Sequence, residues 1–130
     1  MYTSPNRFRL IKSFLHAGRG LRSVFVTEGN FRIHLAALVC VVVLGFAFRL
    51  SGLEWAAVLL AAAGVLTAET LNTAVEYLAD ALRPERDPKI GRAKDAASGA
   101  VLVAAVAAVV VGAIVFCPKL WQLISTLATP

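Results

Sequence analysis

The sequence predicts an all-α integral membrane fold: three membrane-crossing helices preceded by an amphipathic helix at the membrane interface. Three observations carry this. The chain is 58% hydrophobic and only 16% charged. Its apolar residues gather in three runs, 33–50, 53–77 and 96–116, each close to the ~20 residues that cross a hydrocarbon core as a helix. Its basic residues gather almost entirely at one end of those runs. The 130 residues suffice for one small unit, so 1–130 is read as a single membrane-embedded domain.

The first element is expected over 6–28. Phe8, Ile11, Leu15 and Gly18 recur at helical spacing, continued by Leu21 and Phe25, while Arg9, Lys12, His16 and Arg19 form a basic face. A helix of that pattern just before a span lies in the interface, with its apolar side toward the acyl chains. Membrane helices follow at 31–50, 53–82 and 94–117. Ser51-Gly52 breaks the chain between the first two and leaves a turn too small to hold a site. Pro84 ends the second span, and Asp87-Pro88 reads as an N-cap followed by proline at the first helical position. A cleaved signal peptide does not fit, because about thirty residues precede the first apolar run and no small-residue cleavage site follows it.

Charge orients the spans. Of thirteen Lys and Arg residues, six precede the first span (Arg7, Arg9, Lys12, Arg19, Arg22, Arg32). Five lie between the second and third (Arg83, Arg86, Lys89, Arg92, Lys94), and only Arg49 and Lys119 lie on the other side. The positive-inside rule then predicts a cytoplasmic N-terminus and an external C-terminus in a bacterial inner membrane. The net charge of +5 describes a cytoplasmic face meeting anionic lipid or phosphate. It does not predict a nucleic-acid binder, since basic and aromatic residues are not interleaved. Cys40 and Cys117 stand alone, outside any Cys-x-x-Cys pair, and read as small hydrophobes.

The feature that needs a function is Glu69-Thr70-Leu71-Asn72-Thr73-Ala74-Val75-Glu76, followed by Asp80. At about 100° per residue, Asn72, Thr73, Glu76 and Asp80 share one helix face with Glu69. Ionisable groups within a span are costly and are rarely kept without a function. Glu69 comes fourteen residues after Trp55, roughly 20 Å along the helix, past the midplane toward the cytoplasmic headgroups. There it can meet a lipid headgroup from the side and a soluble reagent from below. Mg²⁺ takes one or two protein carboxylates plus substrate phosphates, and Glu28, Glu76 and Asp80 all reach this interface. Lys94 and the amino end of the third helix offer positive potential to phosphate oxygens. Acidic ligands, a base and a lysine are the parts of phosphoryl transfer. A small transporter or channel passing cations or protons along the acidic stripe is the alternative. Three spans without an inverted repeat, and the lysine and aspartate at the loop, count against it.

Glu69-x-x-Asn72-Thr73-Ala74-Val75-Glu76-x-x-x-Asp80, with Gly91-Arg92-Ala93-Lys94-Asp95 leading into Ala96-Ala97-Ser98-Gly99, resembles the prokaryotic diacylglycerol kinase family, which includes the undecaprenol kinases. The likeness covers nearly the whole chain, and neither a Walker motif nor a protein-kinase signature is found. The resemblance implies a homotrimer with active sites shared between subunits, and ATP- and Mg²⁺-dependent phosphorylation of a membrane lipid alcohol, in phospholipid or cell-wall carrier-lipid metabolism. It implies that Glu69 is the general base, that Asn72 supports the cluster, and that Lys94 neutralises the transferring phosphoryl group. Glu28 and Glu76 would hold the metal, with Asp80 a further ligand or a residue behind the ligands. Arg9, Glu85, Arg86, Asp87 and Asp95 would line the nucleotide together with Glu28, Glu76 and Lys94. Arg9 and Ser98 would also stand near the lipid headgroup beside Glu69. His16 and Gly18 stand where diacylglycerol kinases carry aromatic residues, and His34 where they carry an acidic one. Glu28-x-Asn30-x-x-Ile33-His34 is closer to the undecaprenol kinases, so undecaprenol is expected over diacylglycerol. His34 itself reads as an interfacial hydrogen-bonder.

Overall fold

The computed structural model describes residues 6–82 and 87–128, and these form four helices with no strand among them. They are α1 (Asn6–Thr27), α2 (Gly29–Ala47), α3 (Gly52–Ala81) and α4 (Pro88–Ala128). The last three are long and apolar enough to cross a membrane. Most of their large apolar side chains, among them Leu60, Val103, Val109 and Ile114, are exposed. That is the expected arrangement where the solvent is hydrocarbon rather than water.

Glu28 is the single non-helical residue between α1 and α2, with extended backbone at φ −99° and ψ 114°. The corner is fixed by Arg32, whose guanidinium donates to the carbonyls of Phe25 (3.1 Å) and Val26 (2.9 Å) at the end of α1. Those carbonyls have no partner within the helix, so an arginine there satisfies them. Val24 and Phe31 are buried on either side of the corner. From Arg9 to Ser23 every side chain of α1 is exposed.

The opposite end of the bundle is a tight hairpin between α2 and α3. Leu50 N–H donates to Gly45 O at 3.0 Å and Arg49 N–H to Phe46 O at 3.2 Å, the paired bonds of a Schellman C-cap. Arg49 takes the left-handed conformation there, φ 51°, where glycine is the usual residue. Ser51 then opens α3 with a reciprocal capping box: its backbone N–H donates to Glu54 Oε2 at 2.7 Å, and its hydroxyl accepts from Glu54 N–H. Glu54 also pairs with Lys119 of α4 at 3.0 Å. Gly45 admits the Trp55 ring, since a Cβ at that position would stand 2.5 Å from the indole. Leu50, Val58 and Val115 form the small core beside it, packed by Val41, Trp55, Val111 and Phe116.

α3 and α4 are the most extensively packed pair. The expected third span, 94–117, lies inside a helix of 41 residues, about 60 Å long at ~1.5 Å per residue. Asp87 starts it as an N-cap, accepting the Lys89 N–H at 2.8 Å, with Pro88 next. Pro118 lies within the helix without ending it.

Candidate active site

At the end of the bundle where α2 starts, α3 ends and α4 starts, the polar face of α3 turns inward. Glu69 is 4% exposed and Thr73 1% exposed. Thr73 spends its hydroxyl proton on the Glu69 carbonyl at 3.0 Å, the usual back-bond of a helical threonine. The Glu69 carboxylate faces α2, where His34 Nε2 stands 3.5 Å from Oε1. Oε1 has no hydrogen-bond partner among the described residues. A buried carboxylate oxygen left unbonded is costly, and the usual explanation is a ligand or catalytic role.

One turn along, the stripe turns to α4. Asn72 Nδ2 donates to Glu76 Oε1 at 2.8 Å, and Ser98 donates to Asn72 Oδ1 at 3.3 Å. Asn72 is therefore oriented from both sides and in turn positions the Glu76 carboxylate. Lys94 donates to Asp80 at 2.9 Å, with side chains 34% and 63% exposed. Glu28 enters from the α1–α2 corner. Its Oε1 accepts from Thr27 Oγ1 at 2.9 Å, and the same hydroxyl lies 2.7 Å from Tyr77 OH. The corner is thereby pinned to α3 next to Glu76. Glu28 and Glu76 are the other carboxylates in the neighbourhood of Glu69.

The chain thus brings together Glu28, Glu69, Asn72, Glu76 and Ser98, with the Lys94–Asp80 pair beyond them. Arg9 and Asp95 are exposed and make no side-chain bond among the described residues. Asp87 caps α4, and Glu85 and Arg86 lie outside the described residues. Sequence reasoning gave no role to two residues that organise the site, Thr27 and Tyr77, and it read His34 as an interfacial hydrogen-bonder rather than as the neighbour of Glu69.

No cluster of three or more metal-binding side chains occurs among the described residues. The donor set does suit a hard cation that shares its shell with a nucleotide. Glu28 and Glu76 each have one oxygen committed to a single uncharged donor, and Mg²⁺ asks for one or two carboxylates plus phosphates. On the apolar side of the site a cavity of about 290 Å³ opens between α2, α3 and α4. His34 lines it on the side of Glu69. Leu38, Val41, Val58 and Val65 line it, and Ala61, Ala62, Ala105, Ala108 and Gly112 make the room.

Residues 15–116 match the prokaryotic diacylglycerol kinase family. The chain belongs to that family. It is 44% identical over 112 residues to the undecaprenol kinase of Bacillus subtilis, covering 86% of this chain and 91% of the relative. It is 37% identical over 121 residues to the diacylglycerol kinase of Synechocystis, covering 92% of this chain and 67% of that one. The Escherichia coli K12 diacylglycerol kinase is 32% identical over 114 residues, covering 88% and 90%. The chain is therefore a membrane lipid kinase of bacterial type, with a nucleotide and a lipid as its substrates, and the transporter alternative falls.

Proposed function

We propose that this kinase transfers the γ-phosphoryl group of ATP to the hydroxyl of a membrane lipid alcohol, with undecaprenol the favoured acceptor over diacylglycerol. The observation that carries the reaction is the buried, unbonded Oε1 of Glu69. It sits between an apolar cavity suited to a lipid chain and a polar cluster suited to phosphate. Glu69 accepts the hydroxyl proton as the acceptor oxygen attacks the γ-phosphorus. The bond to the β,γ-bridging oxygen breaks, and ADP leaves with its electron pair. General-base assistance of this kind contributes about 10²–10⁴ in rate.

Glu28 and Glu76 would hold Mg²⁺, which neutralises phosphate charge when bound. Asn72 keeps Glu76 in position through its 2.8 Å bond. Lys94 leaves Asp80 for the phosphoryl oxygens. The exchange is cheap, because an ion pair this exposed contributes little. Asp80 is in this account the resting partner of Lys94 rather than a metal ligand. Ser98, bonded to Asn72, stands where the headgroup meets the cluster.

The favoured acceptor rests on two observations. Identity is higher to the undecaprenol kinase, 44%, than to the two diacylglycerol kinases, 37% and 32%. His34, which lines the cavity, belongs to the Glu28-x-Asn30-x-x-Ile33-His34 pattern. The wider arrangement follows the charge asymmetry: N-terminus and the 83–95 connection cytoplasmic, C-terminus outside, in the bacterial inner membrane. Assembly as a homotrimer would give Arg9 a neighbouring site to complete, and its exposure on α1 fits that role. Asp95, Asp87, Glu85 and Arg86 would then border the nucleotide.

The test is phosphate transfer from [γ-³²P]ATP by purified protein in mixed micelles, with undecaprenol and diacylglycerol offered separately. Labelled undecaprenyl phosphate in excess is expected. Label on diacylglycerol alone overturns the acceptor assignment.

A further inference from the structure

Proton transfer from the lipid hydroxyl turns Glu69 into a carboxylic acid that is 4% exposed. The proton must leave before the next turnover. Thr73 has committed its hydroxyl to the Glu69 backbone carbonyl, and the Asn72 amide cannot take up a proton. Glu76 is turned to Asn72 on the α4 side. The titratable side chain in contact with the Glu69 carboxylate is His34, at 3.5 Å.

We infer that His34 is the proton relay that resets Glu69: its imidazole takes the substrate-derived proton from the Glu69 carboxyl and releases one to interfacial water. Nε2 faces Oε1 and accepts the proton. The imidazolium then loses the proton on Nδ1, which returns the ring to neutral and Glu69 to carboxylate. Proton exchange of the ring with interfacial water restores the tautomer with Nε2 free for the next turnover. No oxidant or further reactant is required. The exposure gradient runs the right way, with the His34 side chain 27% exposed against 5% for Glu69. The ring is also uncommitted, since among the described residues it makes no hydrogen bond.

Its position is not left to chance. The buried Phe31 and the Arg32 clamp on the carbonyls of Phe25 and Val26 fix the first turn of α2, and His34 sits one turn from Phe31. The other charged groups near the pair are Glu28 at the corner and Glu76 on α3. α4 meets the cavity beside His34 through Ala105, Ala108, Val109 and Gly112, none of them titratable.

The inference rests on the lipid-kinase mechanism proposed above, and wild-type turnover, measured first, tests that mechanism separately. The relay is tested with full-length His34→Gln and His34→Ala in mixed micelles, by rapid-quench kinetics. The first turnover needs only an ionised Glu69, so at saturating lipid its rate is expected to fall far less than that of later turnovers. Later turnovers need the proton gone, so steady-state kcat is expected to fall at least about tenfold, with the KM for ATP unchanged. A burst of one lipid phosphate per site should therefore precede a slow phase. Imidazole should speed that slow phase in His34→Ala, where it can enter the vacated space, and the far less basic 1,2,4-triazole should not. A steady-state kcat within threefold of wild type in both variants overturns the relay. So does a first turnover slowed as much as the later ones, or a slow phase indifferent to imidazole.

Discussion

Replacing Glu69 by Gln changes one oxygen to an NH₂ group with almost no change of volume. Its consequences for stability and for activity should diverge. The native carboxylate is 4% exposed and its Oε1 has no hydrogen bond, so the folded state carries a poorly solvated acid. An amide at the same place removes that burden, and its NH₂ can donate toward His34 Nε2, 3.5 Å away. Thermal unfolding in detergent is therefore expected at the wild-type temperature or above it. Turnover should fall by about 10²–10⁴, or ~2.7–5.5 kcal/mol in the barrier, because the base is missing when the acceptor hydroxyl must lose its proton. The KM for ATP should stay within about twofold, since a change confined to the transition state leaves ground-state binding alone. The assays are [γ-³²P]ATP transfer to lipid and differential scanning fluorimetry on the same preparation. Activity within threefold of wild type would refute the role of Glu69. Loss of activity in step with loss of folded protein would refute the reasoning differently, by making the carboxylate a structural group.

Glu28→Gln and Glu76→Gln each remove a negative oxygen donor, so the Mg²⁺ concentration for half-maximal rate should rise several-fold, with partial rescue by Mn²⁺; unchanged metal titrations would take these residues out of the metal site. Lys94→Met should lower kcat by about 10²–10³ while Asp80→Asn stays near wild type, because phosphoryl transfer needs only the lysine charge; equal losses in both would make the pair a structural unit. Gly45→Ala forces a Cβ to 2.5 Å from the Trp55 ring, and the displaced indole should cost about 1–3 kcal/mol, read as a lower unfolding temperature with kcat per folded molecule unchanged.

The helices were legible because hydropathy and charge act along the chain. Long apolar runs and a basic loop specify spans with no knowledge of their neighbours. Legibility ended where a local signal met a tertiary one. The expected third span stops at residue 117, yet α4 runs on through Pro118 and Lys119 to Ala128. Proline removes only one backbone N–H, and Lys119 is held by Glu54 at 3.0 Å. Arg49 gave no sign of a left-handed cap, because that position ordinarily calls for glycine. Within the site, periodicity placed Glu69, Asn72 and Glu76 on one helix but could not say which neighbour each would face. Glu69 turns to α2, whereas Asn72 and Glu76 join α4 through Ser98.

One signal for the contacts that α2 and the α1–α2 corner make with α3 was nonetheless present. Two antiparallel helices joined by a tight hairpin have a common depth scale, counted from the turn. His34 lies seventeen residues before Ser51 and Glu69 eighteen after it, while Thr27 and Tyr77 lie twenty-four and twenty-six away. Both pairs are in contact. The same scale bears on mechanism. Between Glu54 and Glu69, about 22 Å of helix, the only polar side chain on α3 is Thr67. Over the matching depth α2 has only Cys40, and α4 has only Cys117 between Ser98 and Lys119. Polar groups therefore occur at the two ends of the bundle, with a hydrocarbon-like interior between them. A conduction path for cations or protons would need polar steps through that interior. A reaction between a lipid hydroxyl and a soluble nucleotide needs polar chemistry at one face only, with an apolar chamber behind it for the lipid chain. The distribution of polar residues along the three spans fits the second requirement and not the first.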